Sequence, residues 1–360
     1  MSVSDDLLLG IRQRAPQYDQ DNAFFHEDLE ELREAGYLQP RPFRDIVADQ
    51  RRLARHAPAT ALALGMHFTW ISVAQCLQTD GDDSLGFVLD EARAGELFAF
   101  GVSERGNDRV LTDSVTTVNQ SEEGYLFTGE KIFTSLSPAW TRLSVLGRMG
   151  DQIVHGFITR DTPGYTIVED WNTLGMRATQ SHTTLLDQAL VPHSRLARIV
   201  PVGESTDPFI MAIFQSFLPL VSAVYVGIAE RALELAVEAV NSRTSMARAG
   251  QSYASDPDIR WQIAEMAIAV DALDAPLQTL AQDVTDRADH GLGWFRALSG
   301  LKHRSVEAAR SVADQSLRLH GGRGYLGTSE ISRLQRDVLA GVYHPSATEA
   351  VHHTVAASLL

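Results

Sequence analysis

Cysteine is almost missing from this chain. Cys76 is the only one in 360 residues, which rules out an intramolecular disulfide and any cysteine-rich metal centre, so no metal is expected. Basic residues are in short supply too: 31 Lys and Arg against 46 Asp and Glu give a formal charge of −15. A pI near 5.2 argues against nucleic acid or an anionic membrane surface as partner. No stretch reaches the roughly 18 uninterrupted apolar residues of a membrane span. The opening MSVSDDLLLGIRQRAPQYDQ has no basic segment leading into a long apolar run, so no signal peptide is expected and the cytoplasm is the expected location. Convincing internal repeats and low-complexity tracts are also lacking. The composition, 44% hydrophobic and 21% charged, is that of a folded protein, and the length exceeds one compact core, so two or three structural units are expected.

Residues 1–92 read as helices. Glu27–Ala35 can turn Leu29 and Leu32 inward, and Gly36 is placed to stop it. The strongly apolar ATALALGMHFTWISVAQCL carries His67 and Trp70; such a helix is core, and His67 reads first as a core or lining histidine, with a catalytic role as the alternative. From Leu97 the period changes to two. Leu97–Val102, Ser114–Val118, Tyr125–Thr134, Leu143–Arg148, Ile153–Thr159 and Thr183–Val191 read as strands of a small antiparallel barrel or sandwich. After Asp207-Pro208 the helical period returns: Ile228, Ala232, Leu235 and Ala239, then Ile263, Met266, Val270, Leu273 and Leu277, then Trp294–His320. Long helices on short connections predict a bundle, with an exposed loop at 246–257. The expected class is α+β with units at 1–92, 93–205 and 206–360.

Near the end, Gly322, Gly324 and Gly327 spell G-x-G-x-x-G. That pattern marks a dinucleotide only when a strand precedes it, and here a helix does. The helix, the Gly321-Gly322 turn and the later Arg336-Asp337 are instead similar to the end of the acyl-CoA dehydrogenase superfamily. Three further segments are similar in order and spacing: Phe100-Gly-Val-Ser-Glu-Arg-Gly-Asn-Asp108, Thr128-Gly-Glu-Lys-Ile-Phe-Thr-Ser135 and Leu174-Gly-Met-Arg-Ala-Thr179. The resemblance covers nearly the whole chain. It implies an N-terminal helical domain, a middle β-barrel domain and a C-terminal four-helix bundle.

The resemblance also assigns residues. Phe100, Val102 and Ser103 match the segment whose hydroxyl and backbone meet the flavin pyrimidine ring. Phe133, Thr134 and Ser135 match the strand lying against the isoalloxazine. A flavin needs donors at its N1–O2 edge and an apolar wall on one face, which these residue types supply. The arginine that reaches a neighbouring subunit's FAD pyrophosphate falls at Ser242 by register, with Arg243 one residue on, and Arg318 stands where the family has a glutamine before Gly321-Gly322. FAD or FMN is the implied cofactor, the implied assembly is a homotetramer, and these residues are expected to converge on one flavin site.

The departures bear on chemistry. In most members the α-proton base is a glutamate nine residues after the arginine matching Arg336, where this chain has Pro345. In a minority it comes from the first bundle helix, before the motif matching Gly227-Ile-Ala-Glu-Arg-Ala; there the chain reads Gln215-Ser-Phe-Leu218, without an acid. His344 stands beside the vacancy, as in the flavin-dependent monooxygenases that share the fold. An unperturbed imidazole pKa of about 6.5 suits proton transfer near neutrality. A loop histidine without a role is the alternative, and Glu349 is the nearest carboxylate in sequence to orient it. Asn107 replaces the serine associated with the CoA tail. The expected enzyme is a flavin-dependent oxidoreductase with His344, Ser135 and His67 as catalytic candidates. A monooxygenase acting on a small organic substrate, fed by a separate flavin reductase, is preferred; acyl-thioester dehydrogenation is the alternative, and a flavin-binding scaffold without turnover comes third.

Overall fold

The computed structural model describes residues 3–360. Five helices open the chain: α1 Asp5–Asp21, α2 His26–Glu34, α3 Phe43–Ala54, α4 Pro58–Thr79 and α5 Gly86–Arg93. Pro58 begins α4, where its missing N–H costs nothing, and the helix is apolar all round because protein encloses it all round. The strands follow as β1 Phe98–Gly101, β2 Thr117–Gln120, β3 Gly124–Thr134, β4 Arg142–Met149, β5 Gln152–Thr159, β6 Tyr165–Val168, β7 His182–Pro192 and β8 Leu196–Pro201. They form one sheet in the order β6-β7-β3-β2-β4-β5-β8, with β1 also on β4.

Two details differ from the sequence expectation. The ladder is mixed, since β1 and β2 both run parallel to β4. It is also open: β6 and β8 are its edges, and β5 packs against β7 without a ladder closing the ring.

Helices complete the chain: α6 Pro208–Ser242, α7 Pro257–Thr285, α8 Gly293–His320, α9 Glu330–Val338 and α10 Thr348–Ala357, with a two-residue ribbon of β9 Thr244–Ser245 and β10 Gln251–Ser252 in the loop after α6. Asp207 caps α6 by accepting from the Phe209 N–H at 2.8 Å, and Pro208 takes the first helical position. α6 is the axis of the molecule, touching α3, α4, α7, α8 and α9. By length and composition α4 and α6 could each cross a membrane, but both are covered by the rest of the chain. Amphipathic α8 buries Leu298, Leu301, Val306, Ala309 and Leu319 against α6. The junction of the parts is Trp70 of α4, almost wholly buried, with its ring edge-on to Phe100 of β1 and Phe157 of β5 and stacked near Phe209 of α6.

Candidate active site

β3 ends in an unusual way. Phe133 adopts a left-handed φ of +57°, which breaks the alternation and turns its ring outward, 57% exposed, with Trp171 edge-on at 6.0 Å. A bulky residue at positive φ is strained, so the surrounding structure must hold it in this outward position. The Ser135 N–H bonds back to Phe133 O at 3.0 Å, and the Ile132 N–H donates to Ser103 O at 2.9 Å. Ser103 is therefore brought beside the Ile132-Phe133 step, although Ser103 and Phe133 are thirty positions apart. Phe100 and Val102 are buried behind them, and the Phe100 ring reaches Phe217 of α6.

What holds Ser103 against β3 is a buried ion pair. Lys131 Nζ donates to Glu104 Oε1 at 2.6 Å and to Leu146 O at 2.6 Å. Glu104 also accepts from the Ser114 hydroxyl, the Val115 and Thr116 N–H groups and the Asn107 amide. Burial works against the carboxylate, but Lys131 and these donors outweigh it and hold Glu104 at about 2. Asn107 gives its other amide hydrogen to Asp113 O and accepts from the Arg109 N–H, so its side chain is engaged within the loop.

Ser135 starts a run of hydroxyls. Its Oγ lies 2.8 Å from Ser181 Oγ, Ser181 Oγ lies 2.7 Å from Thr179 Oγ1, and Thr179 donates to Met176 O at 2.8 Å. Thr134 is fully buried, and its Oγ1 has no partner among the described residues.

His344 lies in the loop after α9. Its Nδ1 is 3.3 Å from the hydroxyl of Tyr225 on α6, eight residues beyond Phe217 on the same helix. Tyr225 is fully buried, and this is the only hydrogen bond of its hydroxyl among the described residues. The arrangement that leaves no buried proton unpaired has the tyrosine O–H donating to Nδ1, so that Nε2 carries the imidazole hydrogen. Lys302 of α8 fixes the loop, donating to Gly341 O, His344 O and Ser346 O at 2.7–2.9 Å. Part of the His344 ring surface stays open, yet protein crowds its other sides. That burial, with Lys302 nearby, draws its pKa down to about 3. With its pKa lowered from the unperturbed value near 6.5, His344 is neutral at pH 7 and suited to the hydrogen-bond donor role rather than to that of a base. Glu349 stands exposed on α10, so Tyr225 has the orienting place the sequence offered to Glu349.

The two sides are joined through the third motif. Gly175 lies so close to Arg336 and Asp337 that a Cβ would overlap the Arg336 carbonyl. The Met176 N–H donates to Asp337 Oδ1 at 2.6 Å, and Arg336 binds Leu174 O and the Asp19 carboxylate of α1. Asp337 is buried and raised to about 6, burial outweighing the nearby Arg333.

The remaining candidates lie elsewhere. His67 is fully buried; its Nε2 meets Leu38 O at 2.9 Å and its Nδ1 accepts from the Phe98 N–H at 3.2 Å. Both ring nitrogens are taken by backbone, so the catalytic alternative for His67 falls to its core reading. Arg243 caps the end of α8 at Leu319 O and stacks over Tyr253 at 4.5 Å. Its guanidinium lies against Gly321, which ends α8 at φ +60°. Arg318 is exposed and pairs with Asp314, and Gly322 is exposed on the adjoining turn. The expected single convergence is therefore seen as two groups within one chain: Phe100, Val102, Ser103, Phe133, Thr134 and Ser135 around β3, and Arg243, Arg318, Gly321 and Gly322 at the end of α8. Sequence reading missed Tyr225, Lys302, Ser181 and Trp171; Glu104 and Lys131 were quoted inside motifs without their pairing. A cleft of about 750 Å³ between α3, α6 and α7 lies apart from these residues, and its Arg51 and Arg55 are paired with Glu230, Glu234 and Asp274.

The architecture is three-part, with an open aromatic at the end of a strand and a histidine loop coupled to it. Residues 208–343 match the family described as "Acyl-CoA dehydrogenase, C-terminal domain". A putative acyl-CoA dehydrogenase, YdbM of Bacillus subtilis (strain 168), is 27% identical over 372 residues, covering 96% of this chain and 93% of the relative. L-evernosamine nitrososynthase of a Micromonospora species is 30% identical over 226 residues, covering 61% of this chain and 53% of that one. The structure of KijD3 in complex with FMN and dTDP-3-amino-2,3,6-trideoxy-4-keto-3-methyl-D-glucose superposes with a TM-score of 0.84 at 23% identity, over 98% of this chain and 91% of that one. The chain is thus similar over nearly its whole length to an acyl-CoA dehydrogenase, shares its fold with an FMN-binding enzyme, and matches the acyl-CoA dehydrogenase C-terminal domain over residues 208–343.

Proposed function

We propose that this chain is the oxygenating component of a flavin-dependent monooxygenase, acting on a small organic substrate with FMN or FAD delivered reduced by a separate reductase in the cytoplasm. The observation that carries the reading is His344-Pro345, where dehydrogenases of this fold place their glutamate base. Burial holds the imidazole pKa at about 3, too weak a base to take a thioester α-proton, while its Nε2–H remains a fixed donor.

The residues present fit a flavin. The open face of Phe133 beside Trp171 offers the wall for a flat ring, and Ser103 and Ser135 bring polar groups to the same strand end. Bound in its reduced form, the flavin supplies the electrons that activate dioxygen. Ser103 and Ser135 orient the ring, Phe100 and Phe217 keep the space behind it dry, and Tyr225 sets the imidazole tautomer so that Nε2–H meets developing negative charge. The group at the end of α8 serves the flavin of a neighbouring subunit in a homotetramer.

Dehydrogenation of an acyl thioester is the second reading, favoured by Ser103-Glu104 and Asn107-Asp108 and by the near full-length similarity to YdbM. One experiment separates them. Protein loaded with oxidised flavin is titrated anaerobically with acyl-CoA thioesters of increasing chain length, and protein holding reduced flavin is mixed with oxygen in a stopped-flow instrument. No bleaching at 450 nm by any thioester, together with biphasic reoxidation, is expected. Rapid bleaching with single-phase reoxidation makes the chain a dehydrogenase.

A further inference from the structure

The hydroxyl run beside Phe133 has a direction that counting fixes. Three hydroxyls, those of Ser135, Ser181 and Thr179, carry one proton each. Three hydrogen bonds join them to one another and to Met176 O. The last acceptor is a carbonyl, which has no proton to give, so Thr179 donates to it. Ser181 must then donate to Thr179, and Ser135 to Ser181. All three protons point away from the strand end, and Ser135 Oγ keeps only lone pairs. The chain is buried, so water does not compete for these protons, and each donation makes the donor oxygen a better acceptor. The Ser135 N–H is likewise committed, to Phe133 O.

An acceptor-only oxygen discriminates among ligands. It welcomes an N–H and repels a bare nitrogen lone pair, because a buried acceptor facing an acceptor leaves both unpaired. Reduction of a flavin ring adds a hydrogen at N5, converting a bare nitrogen to an N–H. Resting on the placement of a flavin against Phe133 given above, we propose that the Ser135–Ser181–Thr179 chain is a redox-selectivity device: Ser181 and Thr179 are positioning residues that keep Ser135 Oγ an acceptor, so that the pocket takes reduced flavin in preference to oxidised flavin. Such a preference suits an enzyme that receives its flavin already reduced.

The test measures FMN and FAD binding in both redox states, anaerobically, for the full chain and for Ser181→Ala, Ser181→Thr and Thr179→Val, together with the midpoint potential of the bound flavin. The wild-type chain should bind the reduced form more tightly. In Ser181→Ala the Ser135 proton loses its acceptor and turns toward the ligand. In Thr179→Val the Ser181 proton turns back onto Ser135 with the same result. Each should narrow the preference by about tenfold, the size of one hydrogen bond gained or lost at a buried group. By the two-electron relation, tenfold lowers the midpoint potential by about 30 mV. Ser181→Thr, which keeps a hydroxyl, should keep the wild-type ratio. A purely structural role would weaken both redox states equally. An unchanged ratio in both Ser181→Ala and Thr179→Val, or equal wild-type affinity for the two states, overturns the proposal while leaving the flavin assignment standing. Failure of the wild-type chain to bind either form overturns the flavin assignment itself.

Discussion

Lys131→Met puts the buried pair under the first motif to the test. The two side chains are wholly inaccessible, and Lys131 Nζ is the only cation on Glu104 among the described residues. Methionine fills nearly the same volume without charge. Glu104 would keep its Ser114, Val115 and Thr116 donors but lose its counter-charge. Stranding one member of such a pair costs about 3–5 kcal/mol. That is a large share of the about 5–15 kcal/mol by which folded proteins are stable. The loss should show as a fall in melting temperature on the order of 5–10 °C by circular dichroism. The pH dependence gives a second signature. In the wild-type chain Glu104 is held near 2, so the stability it contributes is present above the unfolded carboxyl value and lost only in strong acid. In Lys131→Met burial acts on Glu104 without the counter-charge, so its pKa should rise from that value, and protonation should relieve the strain as the pH falls, shrinking the deficit toward acid pH. Adding Glu104→Gln removes the stranded charge and should restore at least about 2 kcal/mol, since a buried pair replaced as a whole is often nearly neutral. A single variant within about 1 kcal/mol of wild type, or a double variant no better than the single, would refute the reasoning.

His344→Ala should lower turnover by about 10²–10³-fold, the cost of removing one donor to developing charge, with flavin affinity within about twofold. Because the imidazole stays neutral down to about pH 3, the wild-type kcat profile should show no break near 6.5 that this substitution abolishes; such a break would make His344 a titrating base after all. Tyr225→Phe removes the hydroxyl on Nδ1 and should cut kcat about tenfold by freeing the tautomer. The conservative exchange leaves the ring packing in place, so an unchanged kcat with lowered stability would reduce Tyr225 to a core residue.

The bundle was legible because α6, α7 and α8 repeat their apolar residues at helical spacing over 28 to 35 positions. β6 and β8 left no such trace. They are short edge strands, half exposed, and β8 carries Arg198 outward to Asp82. β2 was read three residues early because Ser114 and Thr116 are buried polar groups serving Glu104, and they mimic the alternation of a strand. The motifs located the ring-bearing strand end, but not what the motif residues do for one another. Glu104 and Lys131 are 27 positions apart, and Tyr225 and His344 are 119 apart. Nor could composition reveal the environment of His344, since its depressed pKa comes from surroundings assembled only by folding.

Gly175 is where those separate pieces meet, and it gives the sharpest test of their coupling. The loop at 174–179 carries Thr179, the last hydroxyl of the chain that begins at Ser135, and Met176, whose N–H is held by Asp337 seven residues before His344. One rigid connection therefore positions both the strand end and the histidine loop. Gly175→Ala would drive a methyl into the Arg336 carbonyl and the Asp337 nitrogen, and backbone cannot step aside as a flexible side chain can. Overpacking of this kind costs about 1–3 kcal/mol, and relief requires the loop to lift away from α9. Lifting stretches the Met176–Asp337 bond on one side and the Thr179–Ser181 contact on the other. Two readouts should then change together: the ratio of reduced to oxidised flavin affinity, which reports the hydroxyl chain, and turnover at saturating flavin, which reports His344. A variant that loses turnover with the redox ratio intact would show that the two groups are positioned independently, and the shared connection through Gly175 would have to be given up.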